Sequence, residues 1–451
     1  MRKIIWLIAV LALLTSCDNK KQQNNVSTEN STAHSSWVYD ATIYEVNVRQ
    51  FTPEGTFNAM GEQLPRLKEL GVDILWFMPI QPIGELERKG TLGSYYSISD
   101  YKGVNPEFGT FEDFKNLVSK AHEAGFKIIL DWVANHTSRD NIWLKDHADW
   151  YMRDSLGNIP VLYDWTDIGE VNYDNLEMRA EMIQSMLYWI KKADIDGFRC
   201  DVASEVPTDF WQTAKDSLKA YKQDIFMLAE AEKPELNESV FDAYYAWDFH
   251  HKMNLVAQGK ENVDSLRSSL NRMQEKFSKS AIPMYFTSNH DENSWNGTEF
   301  ERMGDAARSF AALTYVLPGM PLTYNGQEAG FNRRLQFFEK DSIDWNDNGG
   351  FGTFYKSLND LKKGNPALKT QELGGEMIEI TNDKPQSVWS FMRVKDNNTV
   401  VCVFNFSKEL QTVEFTDELP EKGFISLGNE SVEPTKKMEL KPWEYKIFYK
   451  N

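Results

Sequence analysis

Residues 178–202 read MRAEMIQSMLYWIKKADIDGFRCDV and contain the pattern that decides the fold. A helix-like stretch, residues 178–192, is followed by a short β-rich run, residues 196–202. The same alternation begins near Trp37 and continues along most of the chain. Short strands that alternate with helices indicate a parallel sheet whose strands are joined by helical crossovers.

Eight β-rich runs are found in this alternation. They cover residues 41–48, 73–79, 127–133, 196–202, 225–230, 241–247, 283–289 and 320–324. Helix-like segments between them include residues 61–70, 111–124, 178–192, 208–221, 263–277 and 301–317. Eight strands are the number that closes a (β/α)8 TIM barrel, so we predict an α/β fold of that kind.

Two stretches depart from the alternation. Residues 137–175, after the third strand, are aromatic and irregular, which indicates a short insertion into the barrel. From residue 369 short runs without helical period follow one another, which indicates a C-terminal antiparallel β-sandwich; these runs are residues 376–381, 387–394, 399–406, 410–415 and 443–449. We therefore predict a barrel over residues 37–368 and a second domain over residues 369–451.

Composition limits the classes of function. The 451 residues carry a net charge of −18, which argues against nucleic acid as a partner. Aromatic residues make up 13%, which suits a carbohydrate site because sugar rings present flat C–H faces to aromatic rings. Cys200 and Cys402 lie in apolar runs and predict buried thiols, with no spacing typical of a metal site.

The N-terminus predicts export. Residues 1–16 have a basic start and a short apolar core, as in a signal peptide. Leu14-Thr15-Ser16-Cys17 resembles a bacterial lipobox, which implies cleavage before Cys17 and a lipid on its thiol that anchors the protein to a membrane. An ordinary secretory signal with an incidental cysteine is the alternative. Residues 17–36 are polar and predict a flexible tether.

Polar side chains gather where the predicted strands end, the position at which TIM barrels place their active sites. Three strands deliver a carboxylate to the same rim, accompanied by two histidines and one arginine: Asp201, Glu230, Asp291, His136, His290 and Arg199. Bringing like charges together out of water is costly and indicates function rather than structure alone. Glycosidic cleavage needs such a set, because one carboxylic acid protonates the leaving oxygen while a carboxylate attacks the anomeric carbon.

The sequence also assigns different roles to two of these acids. Arg199 lies two residues before Asp201, so both side chains project from the same face of the strand. We expect the guanidinium to hold Asp201 ionised, as a nucleophile requires. Glu230 has the apolar neighbours Phe226, Leu228 and Ala229, which favour its protonated form near neutral pH.

These motifs together resemble glycoside hydrolase family 13, the α-amylase family, over residues 37–451. The matching regions are Asp131–His136, Gly197–Ala203, Ala229-Glu230 and Asn289-His290-Asp291. The resemblance implies a retaining α-amylase-type glycosidase with Asp201 as nucleophile, Glu230 as acid/base and Asp291 as transition-state stabiliser. It further implies that Tyr96, His136, Arg199 and His290 bind the first sugar, and that residues 137–175 and 369–451 are the family's B and C domains.

Three departures from the family pattern bear on cofactor and specificity. The resemblance implies a possible calcium site at Asn135 and Glu170, but Ser204-Glu205 stands where the usual Lys-His follows the nucleophile. Some relatives carry an Asp-rich loop after the first strand that binds another metal. Residues 53–57 stand in its place here. Ser97 follows Tyr96 where exo-acting α-glucosidases carry Asp, which disfavours trimming from chain ends.

Several functional alternatives remain at this point. Starch or maltooligosaccharide hydrolysis, cyclomaltodextrinase or neopullulanase action, and glucosyl transfer are all found on this scaffold. A non-catalytic binding relative is disfavoured because all three acids are present. A metal-dependent hydrolase is disfavoured because His136 and His290 have no third ligand at metal spacing. An anchored enzyme on the periplasmic side, acting on imported maltodextrins, is favoured over a cell-surface one.

Overall fold

A computed structural model describes residues 34–347, 349–420, 423–428, 431 and 433–451. The strands in chain order are β1 (Ile43–Val46), β2 (Ile74–Phe77), β3 (Lys127–Trp132), β4 (His136–Ser138), β5 (Ile168–Glu170), β6 (Gly197–Cys200), β7 (Phe226–Ala229), β8 (Ala243–Tyr245), β9 (Ile282–Phe286), β10 (Met320–Tyr324), β11 (Glu376–Glu379), β12 (Val388–Lys395), β13 (Asn398–Asn405), β14 (Gln411–Glu414), β15 (Ile425–Ser426), β16 (Lys437–Leu440) and β17 (Tyr445–Lys450). The α-helices are α1 (Val48–Phe51), α2 (Phe57–Gly61), α3 (Leu64–Leu70), α4 (Phe111–Glu123), α5 (Leu176–Ala193), α6 (Thr208–Tyr221), α7 (Pro234–Ser239), α8 (Trp247–Ala257), α9 (Val263–Lys276), α10 (Glu299–Met303), α11 (Ala307–Val316) and α12 (Phe351–Gly364).

Within the described residues, eight parallel strands close into a barrel in the spatial order β1-β10-β9-β8-β7-β6-β3-β2. The predicted (β/α)8 barrel is therefore confirmed, and each of the eight β-rich runs contains or overlaps one barrel strand. Alternate residues of a strand face opposite sides. On β2, Ile74 and Trp76 belong to the cluster that fills the barrel, whereas Leu75 and Phe77 pack outward against the helices.

Helix starts follow the local capping chemistry. Thr110 accepts the Asp113 backbone N–H and the Asp113 carboxylate accepts the Thr110 N–H, a reciprocal capping box that begins α4. The prediction of one helix over residues 301–317 was wrong, because α10 ends before Gly304 and α11 begins at Ala307. Gly304 has φ +56° and ψ −132°, a backbone conformation that favours glycine and interrupts a helix.

The inserted stretch after β3 forms an antiparallel pair. Strands β4 and β5 pair His136 with Glu170 and Thr137 with Gly169. The Arg139 guanidinium donates to the Ile159 and Pro160 carbonyls and fixes the loop between the two strands. Because β4 follows directly after β3, the insertion begins at the carboxyl-terminal mouth of the barrel.

The described part of the C-terminal region contains two antiparallel sheets, in the orders β11-β12-β13-β17-β15 and β14-β16. Val401 and Val403 of β13 face the cluster between the two sheets, whereas Cys402 and Phe404 face the barrel. The five-stranded sheet is therefore covered on both sides, as expected for the central layer of a sandwich against a barrel. Strands β15 and β16 were not predicted from the sequence.

The predicted signal peptide, the lipid site Cys17 and most of the predicted tether lie outside the described residues. The compact unit begins at His34, whose imidazole lies 2.9 Å from the Asp242 carboxylate. Among the described helices, none has the length and apolar character needed to span a bilayer.

Candidate active site

Arg199 is the centre of the site and is fully buried on β6. Its Nη1 donates to Asp131 Oδ1 and to Asp201 Oδ1, both at 2.9 Å. Its Nη2 forms an ion pair with Glu230 Oε2 at 2.9 Å. The prediction that Arg199 and Asp201 share one face of the strand is confirmed, and one guanidinium also reaches the second catalytic candidate.

The backbone fixes both carboxylates at strand ends. The Asp201 N–H donates to the Trp132 carbonyl at 3.0 Å, and the Glu230 N–H donates to the Cys200 carbonyl at 3.0 Å. Val202 has φ +35°, which is strained for a β-branched residue. In this conformation its N–H donates to Glu230 Oε2 at 2.8 Å. Such strain is concentrated at functional sites and here holds Glu230 against the segment that carries Asp201.

Burial controls the protonation of the pair. It raises the pKa of Asp201 to about 6, although Arg199 acts in the opposite direction. Burial also raises the pKa of Glu230 to about 7, opposed by Arg199 and reinforced by Asp201 and Asp291. Arg199 lowers the pKa of Asp201, as expected, but desolvation outweighs that effect, so the net pKa is raised. Burial thus keeps a proton shared between the two carboxyl groups near neutral pH, as an acid/base requires.

His290 links three parts of the site. Its Nδ1 donates to Glu45 Oε1 of β1 at 2.5 Å, and its Nε2 lies 2.7 Å from the Tyr96 hydroxyl and 3.3 Å from Asp291. The Tyr96 hydroxyl in turn donates to Asp131. Burial lowers the pKa of His290, but the Asp291 and Glu45 carboxylates outweigh it and raise that pKa to about 9. His290 is therefore a fixed cation beside Asp291 near neutral pH.

His136 differs from His290 in its charge. Burial lowers its pKa to about 4, so the imidazole is neutral. Its ring centroid lies 5.6 Å from that of Trp165 in the insertion. The structure thus places one neutral and one cationic histidine on the walls of a single cavity, which gives the site two kinds of hydrogen-bonding group for sugar hydroxyls.

This cavity has a volume of about 710 Å³, within the usual range for a ligand site. It opens at the carboxyl ends of the strands and collects all three predicted acids with Tyr96, His136 and His290. Its lining residues are Lys89, Ser94, Tyr96, His136, Asp164, Trp165, Asp167, Ile168, Asp201, Val202, Glu230, His290, Asp291, Trp295, Phe337 and Phe338. Carboxylates beside aromatic rings suit a neutral polyhydroxylated ligand.

Some residues of the site were not predicted from the sequence. Glu45 is one, although a carboxylate inside the apolar run Ile43–Val46 was a visible signal. Trp165, Trp295 and Phe337 are others, and they reach the cavity from segments outside the barrel strands, whose course the pattern of strands does not define.

The possible calcium site was predicted at Asn135 and Glu170. Asn135 and Glu170 lie at the paired start of the insertion, and the Asn135 amide lies 3.3 Å from His136 Nδ1. Calcium takes six to eight oxygen ligands. In the part of the chain that the structure describes, no three His, Cys, Asp or Glu side chains are grouped to hold a metal. Calcium binding at Asn135 and Glu170 stays a prediction, which the effect of a chelator on Tm would test.

Comparison with known proteins agrees with the geometry. The family model described as "Alpha amylase, catalytic domain" matches residues 21–158 and 149–384. Alpha-amylase MalA of Haloarcula japonica is 28% identical over 393 residues, which cover 84% of this chain and 57% of that protein.

Two solved structures are similar over most of the chain. The maltogenic α-amylase AmyB of Thermotoga neapolitana has a TM-score of 0.80 and 28% identity, covering 91% of this chain and 96% of AmyB. The α-amylase of Lactobacillus plantarum has a TM-score of 0.83 and 29% identity, covering 91% of this chain and 99% of that enzyme. Because the family model matches well over half of its residues, the chain belongs to the α-amylase family, glycoside hydrolase family 13.

Proposed function

We propose that the protein is a retaining glycoside hydrolase that cleaves α-glucosidic bonds in starch-type glucans or maltooligosaccharides. The observation that carries the proposal is the contact of one buried guanidinium, Arg199, with both Asp201 and Glu230 at the floor of the cavity. Asp291 and His290 stand beside that pair. The names of the similar proteins, α-amylase and maltogenic α-amylase, support an α-glucan as the substrate.

The first step forms a covalent intermediate. A carboxylate oxygen of Asp201 attacks the anomeric carbon while the glycosidic C–O bond breaks. The Glu230 proton passes to the leaving oxygen, so the shortened glucan departs with a hydroxyl group. Burial suits the roles of Glu230 as proton donor and Asp201 as nucleophile, because it raises the pKa of Glu230 to about 7 and that of Asp201 to about 6.

The second step releases the sugar. Glu230, now a carboxylate, takes a proton from water, and the water oxygen attacks the anomeric carbon as the ester bond to Asp201 breaks. Two inversions give net retention of configuration. Asp291 and the cationic His290 are placed to bind the hydroxyls of the sugar at the reacting centre, and Tyr96 offers its ring to the same sugar.

The test is product analysis on starch, pullulan, cyclodextrin and maltotriose side by side. We expect the newly formed reducing ends to appear first as the α-anomer. The Asp201→Asn variant should cleave at least about a thousandfold more slowly. Retained cleavage in that variant would contradict the nucleophile assignment. Excess acceptor in the same reactions separates hydrolysis from glucosyl transfer, and the relative rates on cyclodextrin and pullulan separate the ring-opening activities.

Location is a second part of the proposal and rests on the sequence alone. The Leu14–Cys17 motif supports an exported lipoprotein anchored through Cys17, and we favour the periplasmic side over the cell surface. Expression of the full chain with Cys17→Ser tests this. The parent protein should yield a lipid-modified Cys17 peptide in mass spectrometry that the variant lacks, and an unmodified Cys17 thiol in the parent would contradict the lipid anchor.

A further inference from the structure

Tyr245 is a fully buried tyrosine at the end of β8, and its hydroxyl reaches the centre of the site. Ala243 and Tyr245 point into the barrel, whereas Tyr244 between them packs outward against the helices. The Tyr245 hydroxyl oxygen accepts a hydrogen bond from Arg199 Nε at 3.2 Å. Tyr245 therefore holds the guanidinium at the nitrogen nearest to the Arg199 stem.

The other two nitrogens of Arg199 are engaged unequally. Nη1 donates hydrogen bonds to Asp131 and to Asp201, both at 2.9 Å. Nη2 lies 2.9 Å from Glu230 Oε2, yet it makes no aligned hydrogen bond to any of the described residues. Because the guanidinium is a rigid plane, partners that fix Nε and Nη1 also fix the direction of the Nη2 hydrogens. The Arg199–Glu230 pair is therefore close but misaligned.

Aromatic packing fixes the Tyr245 ring beside the guanidinium. The Tyr245 ring centroid lies 5.3 Å from that of Trp247 and 5.4 Å from that of Phe286. The Arg199 guanidinium carbon lies 5.1 Å from the centre of the Trp76 ring and 5.6 Å from that of Tyr245. The ring of Tyr245 supplies this packing, and its hydroxyl supplies the hydrogen bond to Nε. Removal of the hydroxyl alone therefore releases Nε and leaves the ring in place.

The protonation of Glu230 depends on how Arg199 is paired with it. Burial raises the pKa of Glu230, Arg199 lowers it, Asp201 and Asp291 raise it, and the Val202 N–H lowers it. The other titratable groups that act on Arg199 or are acted on by it are Asp131, Tyr96, Tyr245 and His290. A hydrogen bond to the charged form of a carboxyl group favours that form. A guanidinium aligned with Glu230 would therefore favour its carboxylate over the acid.

We propose that Tyr245 is a positioning residue whose hydroxyl holds Arg199 out of alignment with Glu230, so that Glu230 keeps the proton that the leaving oxygen needs. Tyr245 is absent from the described residues that line the cavity, so it acts through Arg199 and not on the sugar. The inference rests on the proposed function, which assigns Glu230 as the acid, and it adds a residue of β8 to the machinery on β6 and β7.

The pH dependence of kcat/KM in Tyr245→Phe tests the inference. Without the hydroxyl, Nη2 can turn onto Glu230, so with maltoheptaose the fall in kcat/KM at higher pH should move to lower pH by about one unit. At pH 7 kcat should fall while KM stays close to that of the parent. An α-maltosyl fluoride needs little protonation of its leaving group, so its kcat should fall clearly less.

Tyr244→Phe is the matched control, because Tyr244 is the neighbouring buried tyrosine of β8 and stacks on Phe277 with centroids 3.8 Å apart. Its pH profile should be that of the parent. Incorporation of 3-fluorotyrosine in place of Tyr245 keeps the ring and the hydroxyl but weakens the acceptor. It should shift the profile in the same direction by a smaller amount, and it keeps the test available if Tyr245→Phe does not fold.

Three results decide the inference. A fall at higher pH that stays in place in both proteins changed at residue 245, or that moves to higher pH, would overturn it. An equal loss of kcat with maltoheptaose and with the fluoride would also overturn it, because a merely structural change affects both substrates. Absence of glucan cleavage by the parent protein would instead contradict the proposed function.

Discussion

At the scale of single residues, the site depends on buried charges that are stabilised by neighbouring side chains rather than by solvent. Arg199 is buried with Asp131, Asp201 and Glu230 around it, so one cation faces three carboxyl groups. One fixed cation cannot stabilise three buried carboxylates, and the pKa of each of them is raised by burial. A proton is therefore retained in the site near neutral pH, and Glu230 is the group that uses it.

The raised pKa values predict a narrow pH profile. Cleavage requires Asp201 without a proton and Glu230 with one, so kcat/KM rises as pH rises through about 6 and falls as pH rises through about 7. An α-maltosyl fluoride needs little protonation of its leaving group. With that substrate the fall at higher pH should disappear while the rise at lower pH remains. A profile that falls at the same pH with both substrates would contradict the role of Glu230.

Glu45 gives a second prediction at this scale. Its Oε1 accepts from His290, and its Oε2 is buried without a hydrogen-bond partner among the described residues. Glu45→Gln removes the charge that helps to keep His290 protonated, so the pKa of His290 should fall. We expect kcat/KM to fall roughly tenfold or more, since hydrogen bonds to charged groups contribute about 1.5–3 kcal/mol. Titration of the His290 imidazole by NMR checks the cause, and an unchanged imidazole pKa would contradict it.

At the scale of elements, the strands were predictable and the loops were not. The run Gly197–Cys200 was recognisable because its residues are apolar or small and follow a helix, and the alternation then placed Arg199 beside Asp201. No sequence signal indicated the positive φ of Val202, which depends on contacts with Glu230 of the next strand. The π-helix Glu292–Asn296, which carries Trp295, was likewise hidden, because its turn is fixed by contacts of Glu292 with His250 of α8 and Arg302 of α10.

Gly197 tests the spacing of the two strands that carry the catalytic pair. A Cβ at this position would overlap the Phe226 carbonyl oxygen of β7 and lie 3.1 Å from Ile129 of β3. Gly197→Ala should lower the free energy of unfolding by about 1–3 kcal/mol and reduce kcat, because it moves Glu230 away from Asp201.

Gly364→Ala is its control. No atom lies within 4 Å of a Cβ there, and alanine favours the helix, so stability should be unchanged or slightly higher. Denaturant unfolding and kcat for both variants check the prediction. Equal behaviour of the two would show that the approach of β6 to β7 does not position the pair.

At the scale of the whole molecule, the barrel and the C-terminal sheet are joined by a continuous interface. The Phe310 ring of α11 stacks on Phe406 with centroids 4.6 Å apart. Arg393 of β12 donates to the Val316 carbonyl at 3.0 Å. Nearby, Lys362 of α12 is buried and donates to the Gly319 and Leu368 carbonyls. We therefore expect barrel and sheet to unfold together.

Lys362 predicts how stability depends on pH. Burial, reinforced by Arg393, lowers its pKa from an ordinary 10.5 to about 7. Between these values the unfolded chain holds a proton that the folded protein lacks, so stability rises with pH from about 7 to 10, by up to about 1.4 kcal/mol per unit. Lys362→Met should remove this contribution, whereas Lys356→Met on the exposed face should keep it. Urea unfolding at pH 7 and pH 9 measures the change in the free energy of unfolding between the two pH values. The same change in both variants would contradict the role of Lys362.

The most direct test of the account is to identify the covalent intermediate. A fluorinated maltosyl fluoride that turns over slowly should accumulate one maltosyl group per protein, and peptide mass spectrometry should locate it on Asp201. The Glu230→Gln variant with the same reagent should give the same adduct, since a fluoride leaving group needs no acid. An ester on Asp291, or glucan hydrolysis with no adduct on any carboxylate, would contradict the double displacement through Asp201.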